Sequence, residues 1–230
     1  MKLTQLLSDL EKKQRTFKEK RFLVLKDVWD RDNLQRITLA LNNEITYLNA
    51  FALNGKYIQA SDSELKSMDN LTLNKLQRDI YKDAQNGIGF FYGRHKVEPN
   101  TSPPILLAVH RLLNAPETLR AISELTGIDN LTSASIQATR YIQGNFLTRH
   151  NDVVESEGRR VAYVFSFNEN WHPDWGGLLH FYDYQGTLTN TVMPQNNVLT
   201  LFDVHNPHSV SYVSPFSGKA RYSITGWFNQ

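Results

Sequence analysis

The feature that most constrains the fold is a change of pattern near residue 133. Before it, apolar residues recur mostly at helical spacing. After it, segments of five to nine residues rich in Val, Ile, Phe, Tyr and Thr are separated by Gly, Pro and Asn, which is typical of strands and turns. These segments are 136–142, 161–167, 177–182, 197–202 and 221–228. Short strands with no helical pattern between them predict a β-sandwich or jelly roll.

The first 130 residues predict helices around one early strand. Leu3, Leu6, Leu7 and Leu10 follow the i, i+3, i+4, i+7 stripe of an amphipathic helix, and 21–26 is a β-like run. Helices are also expected after a cap at Asp30 or Asp32, over 71–85 and over 116–125, and residues 54–70 are expected to form a loop.

No Pro/Gly/Ser-rich linker separates the helical half from the strands. The sequence therefore predicts a single α+β domain over 1–230. Its helix-rich part would be about 1–130 and its β core about 133–230, with the helices packed against one sheet.

Composition removes several function classes. The chain has no cysteine, so thiolate metal sites, disulfides and cysteine nucleophiles are excluded. The net charge is +2 and its sign alternates finely along the chain, which predicts no nucleic-acid partner. No apolar run reaches the ~18 residues of a membrane span, and residues 1–21 lack the apolar core of a signal peptide. The sequence predicts a cytoplasmic protein with no membrane partner.

A candidate metal pair follows a β-like segment. Residues i and i+2 of an extended chain face the same side, so His150 and Asp152 can converge, and His208 can add a second imidazole. Two histidines and one carboxylate on one face leave coordination positions open, as in non-haem Fe(II) oxygenases.

Other histidines compete for these roles. His205 is a rival to His208 as third ligand, although a position beside the site is the favoured interpretation. The pair His172 and Asp174 has the same spacing as His150 and Asp152, but it flanks Pro173 near two glycines, which is typical of a turn. His95 and His110 are read as surface and packing residues, and His180 as facing either the site or solvent.

The last predicted strand suggests a binding wall. Period-2 alternation places Arg221, Ser223, Thr225 and Trp227 on one face. Arginine binds carboxylates through a planar fork, and hydroxyls from Ser223, Thr225 or Tyr141 could complete the hydrogen bonds of that anion. A metal triad beside such an arginine predicts a 2-oxoacid cosubstrate that touches both.

Several motifs together resemble the Fe(II)/2-oxoglutarate-dependent prolyl hydroxylases. The similarity is best over 136–228, and the motifs occur in the family's order. They are YIQGN at 141–145, RHND at 149–152, FNENW at 167–171, GGL at 176–178, NPH at 206–208 and RYSITGW at 221–227. The resemblance is greatest to the hydroxylases of hypoxia factors and of ribosomal proteins or elongation factors.

The resemblance implies a double-stranded β-helix with His150, Asp152 and His208 as iron ligands. It places Arg221 on the distal carboxylate of 2-oxoglutarate and Tyr141 in the cosubstrate pocket. The implied cofactors are Fe(II), 2-oxoglutarate and O2, with ascorbate as a reductant. The chain departs from the family at Ser166, where relatives often have a tyrosine, and in a longer turn through 214–218.

The leading functional hypothesis is hydroxylation of an unactivated C–H bond, with formation of succinate and CO2. The resemblance favours a prolyl residue of a protein, such as a translation component. The alternatives are hydroxylation of a free amino acid or other small molecule, and a metal-binding jelly roll without turnover. The segment 87–104, with its aromatic and basic residues, is a candidate for substrate recognition or for a buried strand followed by a solvated loop. The sequence predicts no oligomeric state.

Overall fold

The computed structural model describes residues 1–4 and 6–230. Its α-helices all precede the β core. They are α1 (Leu10–Lys20), α2 (Arg31–Leu39), α3 (Asp62–Ser67), α4 (Asn70–Gln85), α5 (Pro104–Leu113) and α6 (Pro116–Thr126). No helix in this described part of the chain has the length and apolar content needed to cross a membrane.

The described residues also form thirteen strands. They are β1 (Phe22–Lys26), β2 (Leu48–Leu53), β3 (Lys56–Ser61), β4 (Phe90–Lys96), β5 (Ser133–Ala134), β6 (Gln137–Tyr141), β7 (Phe146–His150), β8 (Arg159–Ser166), β9 (Leu179–Tyr182), β10 (Leu188–Val192), β11 (Val198–Asp203), β12 (His208–Val210) and β13 (Arg221–Asn229).

The strands form one curled antiparallel sheet in the order β1-β11-β8-β13-β6-β4-β7-β12-β9-β10. The hairpin β2–β3 joins β4, and β5 joins β13. The strands from β11 to β4 in this order and the strands β7, β12 and β9 both contribute side chains to one cavity. This arrangement confirms the predicted α+β double-stranded β-helix.

Helices α1, α2, α5 and α6 cover the outer face of the β8–β13 side of the sheet, and α4 packs against β2 and β4. Phe17 of α1, Ile37 of α2, Leu106 of α5 and Ile122 of α6 are fully buried in one cluster with strand residues such as Phe165. Burial of each such side chain contributes about 1.5–3 kcal/mol. The helices therefore support the sheet from behind and leave its inner face to the cavity.

The first predicted helix is misplaced. The structure begins α1 at Leu10, the last residue of the leucine stripe. Thr4 donates hydrogen bonds to the carbonyl oxygens of Val28 and, through its hydroxyl, of Asp27. These bonds fix the segment beside the end of β1. Leu6 is buried there, whereas Leu7 is 48% exposed, so tertiary packing overrides the helical periodicity.

The predicted loop at 54–70 is also wrong. Asn54 and Gly55, at φ 51° and 73°, make the two-residue turn between β2 and β3, and α3 follows with a Ser61/Glu64 capping box. Asn-Gly between apolar runs is a strong hairpin signal, because both central residues of such a turn need positive φ. The second helix does start after a cap at Asp30, which accepts from Asn33, but it ends before the strand that begins at Leu48. The helix α5 was not predicted.

Candidate active site

Two neighbouring strands bring the predicted metal ligands together. His150 is the last residue of β7, His208 is the first residue of β12, and the two stand opposite each other in the antiparallel register. Asp152 follows β7 by two residues, and its backbone N–H donates to Val204. Ligand atoms of the three side chains lie within 4.8 Å of one another. The register of the β7–β12 pair therefore explains why two histidines that are 58 positions apart in the sequence converge.

The hydrogen bonds of the two imidazoles turn their remaining nitrogens toward Asp152. Nδ1 of His150 lies 2.9 Å from the Thr148 carbonyl oxygen, and Nδ1 of His208 lies 2.9 Å from that of Asn206. A carbonyl only accepts, so Nδ1 carries the proton and the lone pair of a neutral ring lies on Nε2. The Nε2 atoms are 3.5 Å and 3.4 Å from the two Asp152 oxygens. Lone pairs facing a carboxylate repel it unless a cation or proton lies between them, so this donor set fits a divalent metal ion.

The pKa values of the three side chains show how strongly this cluster holds protons in the absence of a metal. Burial lowers the pKa of His208 to about 4, so this ring is neutral at neutral pH. Burial raises the pKa of Asp152, but the hydrogen bond to His150 and the charge interaction with His208 outweigh it and lower that pKa to about 2. Burial lowers the pKa of His150, but the interactions with Asp152 outweigh it and the pKa ends above its ordinary value. Two imidazoles and one ionised carboxylate are the donors that non-haem Fe(II) uses.

Arg221 is a buried cation without an anionic partner among the described residues. Its side chain lies on the inner face of β13 and the residue is 2% exposed. It makes no ion pair in the described chain, its Nε has no hydrogen-bond partner, and its guanidinium carbon lies 5.0 Å from the centroid of the Tyr141 ring. Burial lowers its pKa. An unpaired buried charge is costly, so this position fits a bound carboxylate.

A stacked pair of tyrosines forms the wall beside Arg221. Tyr141 stands opposite Arg221 in the β6–β13 register, and its ring stacks on Tyr92 of β4 at 5.1 Å. Burial raises the pKa of Tyr141 and raises that of Tyr92 to about 12, so both phenols stay neutral donors. The sequence analysis assigned Tyr141 to this pocket but placed Tyr92 only in the segment 87–104, a candidate for substrate recognition or for a buried strand followed by a solvated loop. The alternation of Phe90, Tyr92 and Arg94 was the available signal for the strand.

The cluster of His150, Asp152 and His208 lines the same cavity as Arg221, with a volume of about 250 Å³. Tyr141, Thr225 and Trp227 also line it. Ser223 does not; it is fully buried and its hydroxyl has no described partner. Ser166 is buried beside Ser223 in the β8–β13 register. Lining residues missed from the sequence include Gln137 and Thr139 of β6.

The packing of Arg221 depends on Gly177. This glycine has φ +63°, and a Cβ built on it would lie 3.1 Å from Cδ of Arg221. That distance is shorter than ordinary contact, and positive φ disfavours other residues. The GGL motif therefore leaves room for the arginine side chain.

The remaining histidines lie outside the cavity. The side chain of His205 is 60% exposed and its Nδ1 lies 2.8 Å from Asp203, so it neither joins the cluster nor lines the cavity. His172 is exposed beside Asp174, and His180 contacts the Thr191 hydroxyl at 2.9 Å. His95 is buried between Thr46 and Ser102, and His110 is half-buried on α5.

Comparison with known proteins supports the motif-based recognition. Residues 136–229 match the 2OG-Fe(II) oxygenase superfamily. The match covers the strands from β6 to β13, which carry the motifs found in the sequence. This confirms the recognition of a 2-oxoglutarate-dependent dioxygenase. The cofactors that this superfamily implies are Fe(II), 2-oxoglutarate and O2, as predicted; ascorbate stays a prediction.

Among curated proteins, the oxygenase domain is similar to prolyl 3-hydroxylase OGFOD1. The mouse protein is 29% identical over 180 residues, which cover 75% of this chain and 30% of the relative. The Xenopus laevis protein is 30% identical over 115 residues, which cover 47% of this chain and 22% of the relative. The chain thus spans less than a third of these relatives.

Among solved structures, the fold is similar to two prolyl hydroxylases. A Pseudomonas putida prolyl-4-hydroxylase matches with TM-score 0.65 and 17% identity, covering 96% of this chain and 98% of the other. A Trichoplax adhaerens prolyl hydroxylase, in complex with a hypoxia inducible factor peptide fragment, matches with TM-score 0.60 and 17% identity, covering 98% and 94%. At this identity the likeness supports the fold.

Proposed function

We propose that this chain is a 2-oxoglutarate-dependent Fe(II) dioxygenase that hydroxylates a prolyl residue of a protein and forms succinate and CO2. In this proposal His150, Asp152 and His208 hold Fe(II), and Arg221 binds the distal carboxylate of 2-oxoglutarate. The observation that carries it is the buried, unpaired Arg221 in the same cavity as the His/Asp/His cluster. A metal-binding module without turnover has no need of that second group.

The residues of the chain have three tasks in this reaction. His150, Asp152 and His208 would hold Fe(II), which when bound would supply the redox chemistry that couples 2-oxoglutarate decarboxylation to oxygen insertion. Arg221 and Tyr141 orient the cosubstrate through hydrogen bonds that point at one end of it. Apolar residues keep water from the reacting atoms, and those lining the cavity beside the cluster include Leu147, Leu179, Phe202 and Val210.

The relatives support a protein substrate, and the cavity size limits what can enter to a small group. A cavity of about 250 Å³ lies below the ~300–1,000 Å³ of typical small-molecule sites. With 2-oxoglutarate in it, the space left suits one side chain, and the rest of the substrate would lie outside. OGFOD1 is named as a prolyl 3-hydroxylase and the Pseudomonas putida protein as a prolyl-4-hydroxylase. The ring carbon that this chain would hydroxylate is therefore left to experiment.

Reconstitution in the absence of oxygen tests the proposal. The purified chain is loaded with Fe(II) and 2-oxoglutarate, then exposed to O2 with proteins from a cell extract. The expected result is succinate formation together with a one-oxygen mass gain on a proline. His150→Ala should abolish both. His172→Ala is the matched control, because it removes a histidine of the same H-x-D spacing outside the cavity and should leave both unchanged.

Two outcomes would replace the proposal with an alternative. Oxygen gain on a free amino acid or metabolite, with none on protein, would indicate a small-molecule hydroxylase. Metal binding without oxygen-dependent succinate would indicate a non-catalytic module. Turnover that persists in His150→Ala would contradict the metal assignment itself.

A further inference from the structure

One face of β4 leads from the bottom of the cavity to its rim. Phe90, Tyr92 and Arg94 alternate along the strand and share this face. Phe90 and Tyr92 line the cavity, and Phe90 packs at 5.7 Å against both Tyr92 and Tyr57, an exposed residue of β3. The aromatic row runs on through Tyr141 to Arg221. Arg94 therefore lies where this row meets solvent.

Arg94 is fixed by neutral acceptors. Its Nε donates to the side-chain oxygen of Gln137, and one terminal nitrogen donates to the Tyr57 hydroxyl at 3.1 Å. Within residues 1–4 and 6–230, no carboxylate lies within ion-pair distance of it. Its other terminal nitrogen donates no hydrogen bond there. The guanidinium is thus held in one orientation with its charge unpaired, which reduces the entropy cost of binding an anion.

Arg94 connects to the cavity through Gln137. The amide nitrogen of Gln137 donates to the Thr225 hydroxyl at 3.1 Å, and both residues line the cavity. We call Tyr57, Arg94, Gln137 and Thr225 the rim cluster. A group bound at Arg94 is therefore connected to the cavity wall through the side chain of Gln137.

The other cations near this rim already have partners. Nε of Arg159 lies 2.8 Å from Glu157, and its guanidinium stacks on Trp227 at 3.6 Å. The Lys96 amine lies 3.0 Å from Glu98. Of these three cations, Arg94 is therefore the one without a carboxylate partner in the described chain.

We propose that Arg94 binds an aspartate or glutamate side chain of the protein substrate, located near the residue that enters the cavity. This inference rests on the proposed function, because it assigns a sequence preference to the substrate of that reaction. A carboxylate accepts two hydrogen bonds from a guanidinium edge, so an acidic side chain fits better than a neutral amide. The aromatic rings of Tyr57 and Phe90 would cover the chain on either side of it.

A peptide library tests the preference directly. Each peptide has a central proline and carries Asp, Asn or Lys in turn at each flanking position. Binding is measured without oxygen to the Mn(II)- and 2-oxoglutarate-loaded chain, and hydroxylation is measured with Fe(II) and O2. At one fixed distance from proline, Asp should bind about three- to fivefold more tightly than Asn, the range of a partly exposed ion pair. Arg94→Gln should remove this preference, and Arg94→Glu should transfer it to Lys.

The controls separate this inference from the proposed function. Arg36→Gln, an exposed arginine of α2, should keep the preference for Asp. The 2-oxoglutarate affinity measured in the same samples reports any damage at the bottom of the cavity. Equal binding of the Asp and Asn peptides, or a preference that survives Arg94→Gln, would overturn the role of Arg94. An Arg94-dependent preference in binding without any oxygen gain would support the role of Arg94 and overturn prolyl hydroxylation. Peptides that neither bind nor react would contradict both.

Discussion

Most charged groups at the bottom of the cavity come from the C-terminal half of the chain, whereas the cation at its rim comes from the N-terminal half. The C-terminal half supplies His150, His208 and Arg221 on strands of the β-helix and Asp152 two residues after β7. It also supplies Gln137 and Thr225 of the rim cluster. The N-terminal half supplies β4 and the β2–β3 hairpin, with Tyr92, Arg94 and Tyr57. At the bottom, the groups are mostly buried and are placed to bind a metal ion and an anion. At the rim, the groups are partly exposed and bonded to one another.

The two regions are therefore expected to have different roles, in turnover at the bottom and in substrate choice at the rim. The buried groups have charges that only a ligand can satisfy, so their replacement should affect turnover strongly. The rim groups satisfy each other through neutral hydrogen bonds, so their replacement should change substrate choice by smaller factors. Variants at the bottom should therefore have larger effects than variants at the rim.

The largest effect is expected for Asp152→Ala. The carboxylate lies between both imidazoles, so its loss removes the negative donor of the cluster. Replacement of groups that merely orient metal ligands costs about 10–100-fold, so loss of the ligand itself should reduce succinate formation by at least about 100-fold. Asp174→Ala, at the second H-x-D pair, is the matched control and should keep wild-type activity. Retained turnover and bound iron in Asp152→Ala would show that the metal lies elsewhere.

Arg221→Ala should have the second-largest effect, through weaker binding of 2-oxoglutarate. Removal of one partner of a buried, hydrogen-bonded charge pair costs about 2–5 kcal/mol, or about 30-fold or more in affinity. The KM for 2-oxoglutarate should rise by that factor, while metal affinity stays near the wild-type value. Arg221→Lys keeps the charge without the fork and should recover part of the loss. If KM is unchanged in Arg221→Ala, the cosubstrate does not bind through this residue.

Gly177→Ala should raise the KM for 2-oxoglutarate by a smaller factor than Arg221→Ala. The added methyl would push against Arg221, and overpacking of this kind typically costs about 1–3 kcal/mol. We expect KM for 2-oxoglutarate to rise about fivefold or more. Gly127→Ala is matched for backbone strain, since Gly127 has φ +68° but nothing within 4 Å of an added Cβ. If both variants show the same KM, the contact with Arg221 has no influence on the cosubstrate.

Tyr57→Phe should have the smallest effect. It removes the hydroxyl that accepts from Arg94 but keeps the ring against Phe90. A single exposed hydrogen bond contributes about 0.5–1.5 kcal/mol, so KM for an acidic peptide should rise about two- to threefold while KM for 2-oxoglutarate stays constant. Steady-state assays that vary each substrate in turn measure both values. A change in the 2-oxoglutarate KM alone would contradict the separation of rim and bottom.

The β core could be predicted from the sequence because its signals are local. Strand-length runs between Gly, Pro and Asn, and the i, i+2 spacing of His150 and Asp152, depend only on neighbouring residues. The partnership with His208 could be proposed from residue chemistry, but its cause, the β7–β12 register, is a tertiary feature.

The N-terminal half was harder to predict because long-range contacts decide its structure. The leucine stripe at 3–10 has helical spacing, yet hydrogen bonds from Thr4 to Asp27 and Val28 hold its first part outside α1. The Asn54–Gly55 turn was a recognisable signal that the sequence analysis missed. The roles of Tyr92 and Arg94 depend on how β4 pairs with β6, which no local pattern reports.

Binding of 2-oxoglutarate in the absence of oxygen tests the central claim most directly. Calorimetric titration with Mn(II), a redox-stable substitute for Fe(II), gives the affinity with and without metal for wild type and for Arg221→Ala. The claim that the cluster and Arg221 together form the cosubstrate site predicts metal-dependent binding of one 2-oxoglutarate per chain, weakened about 30-fold or more in Arg221→Ala. Equal affinity with and without metal, or equal affinity in wild type and variant, would contradict it.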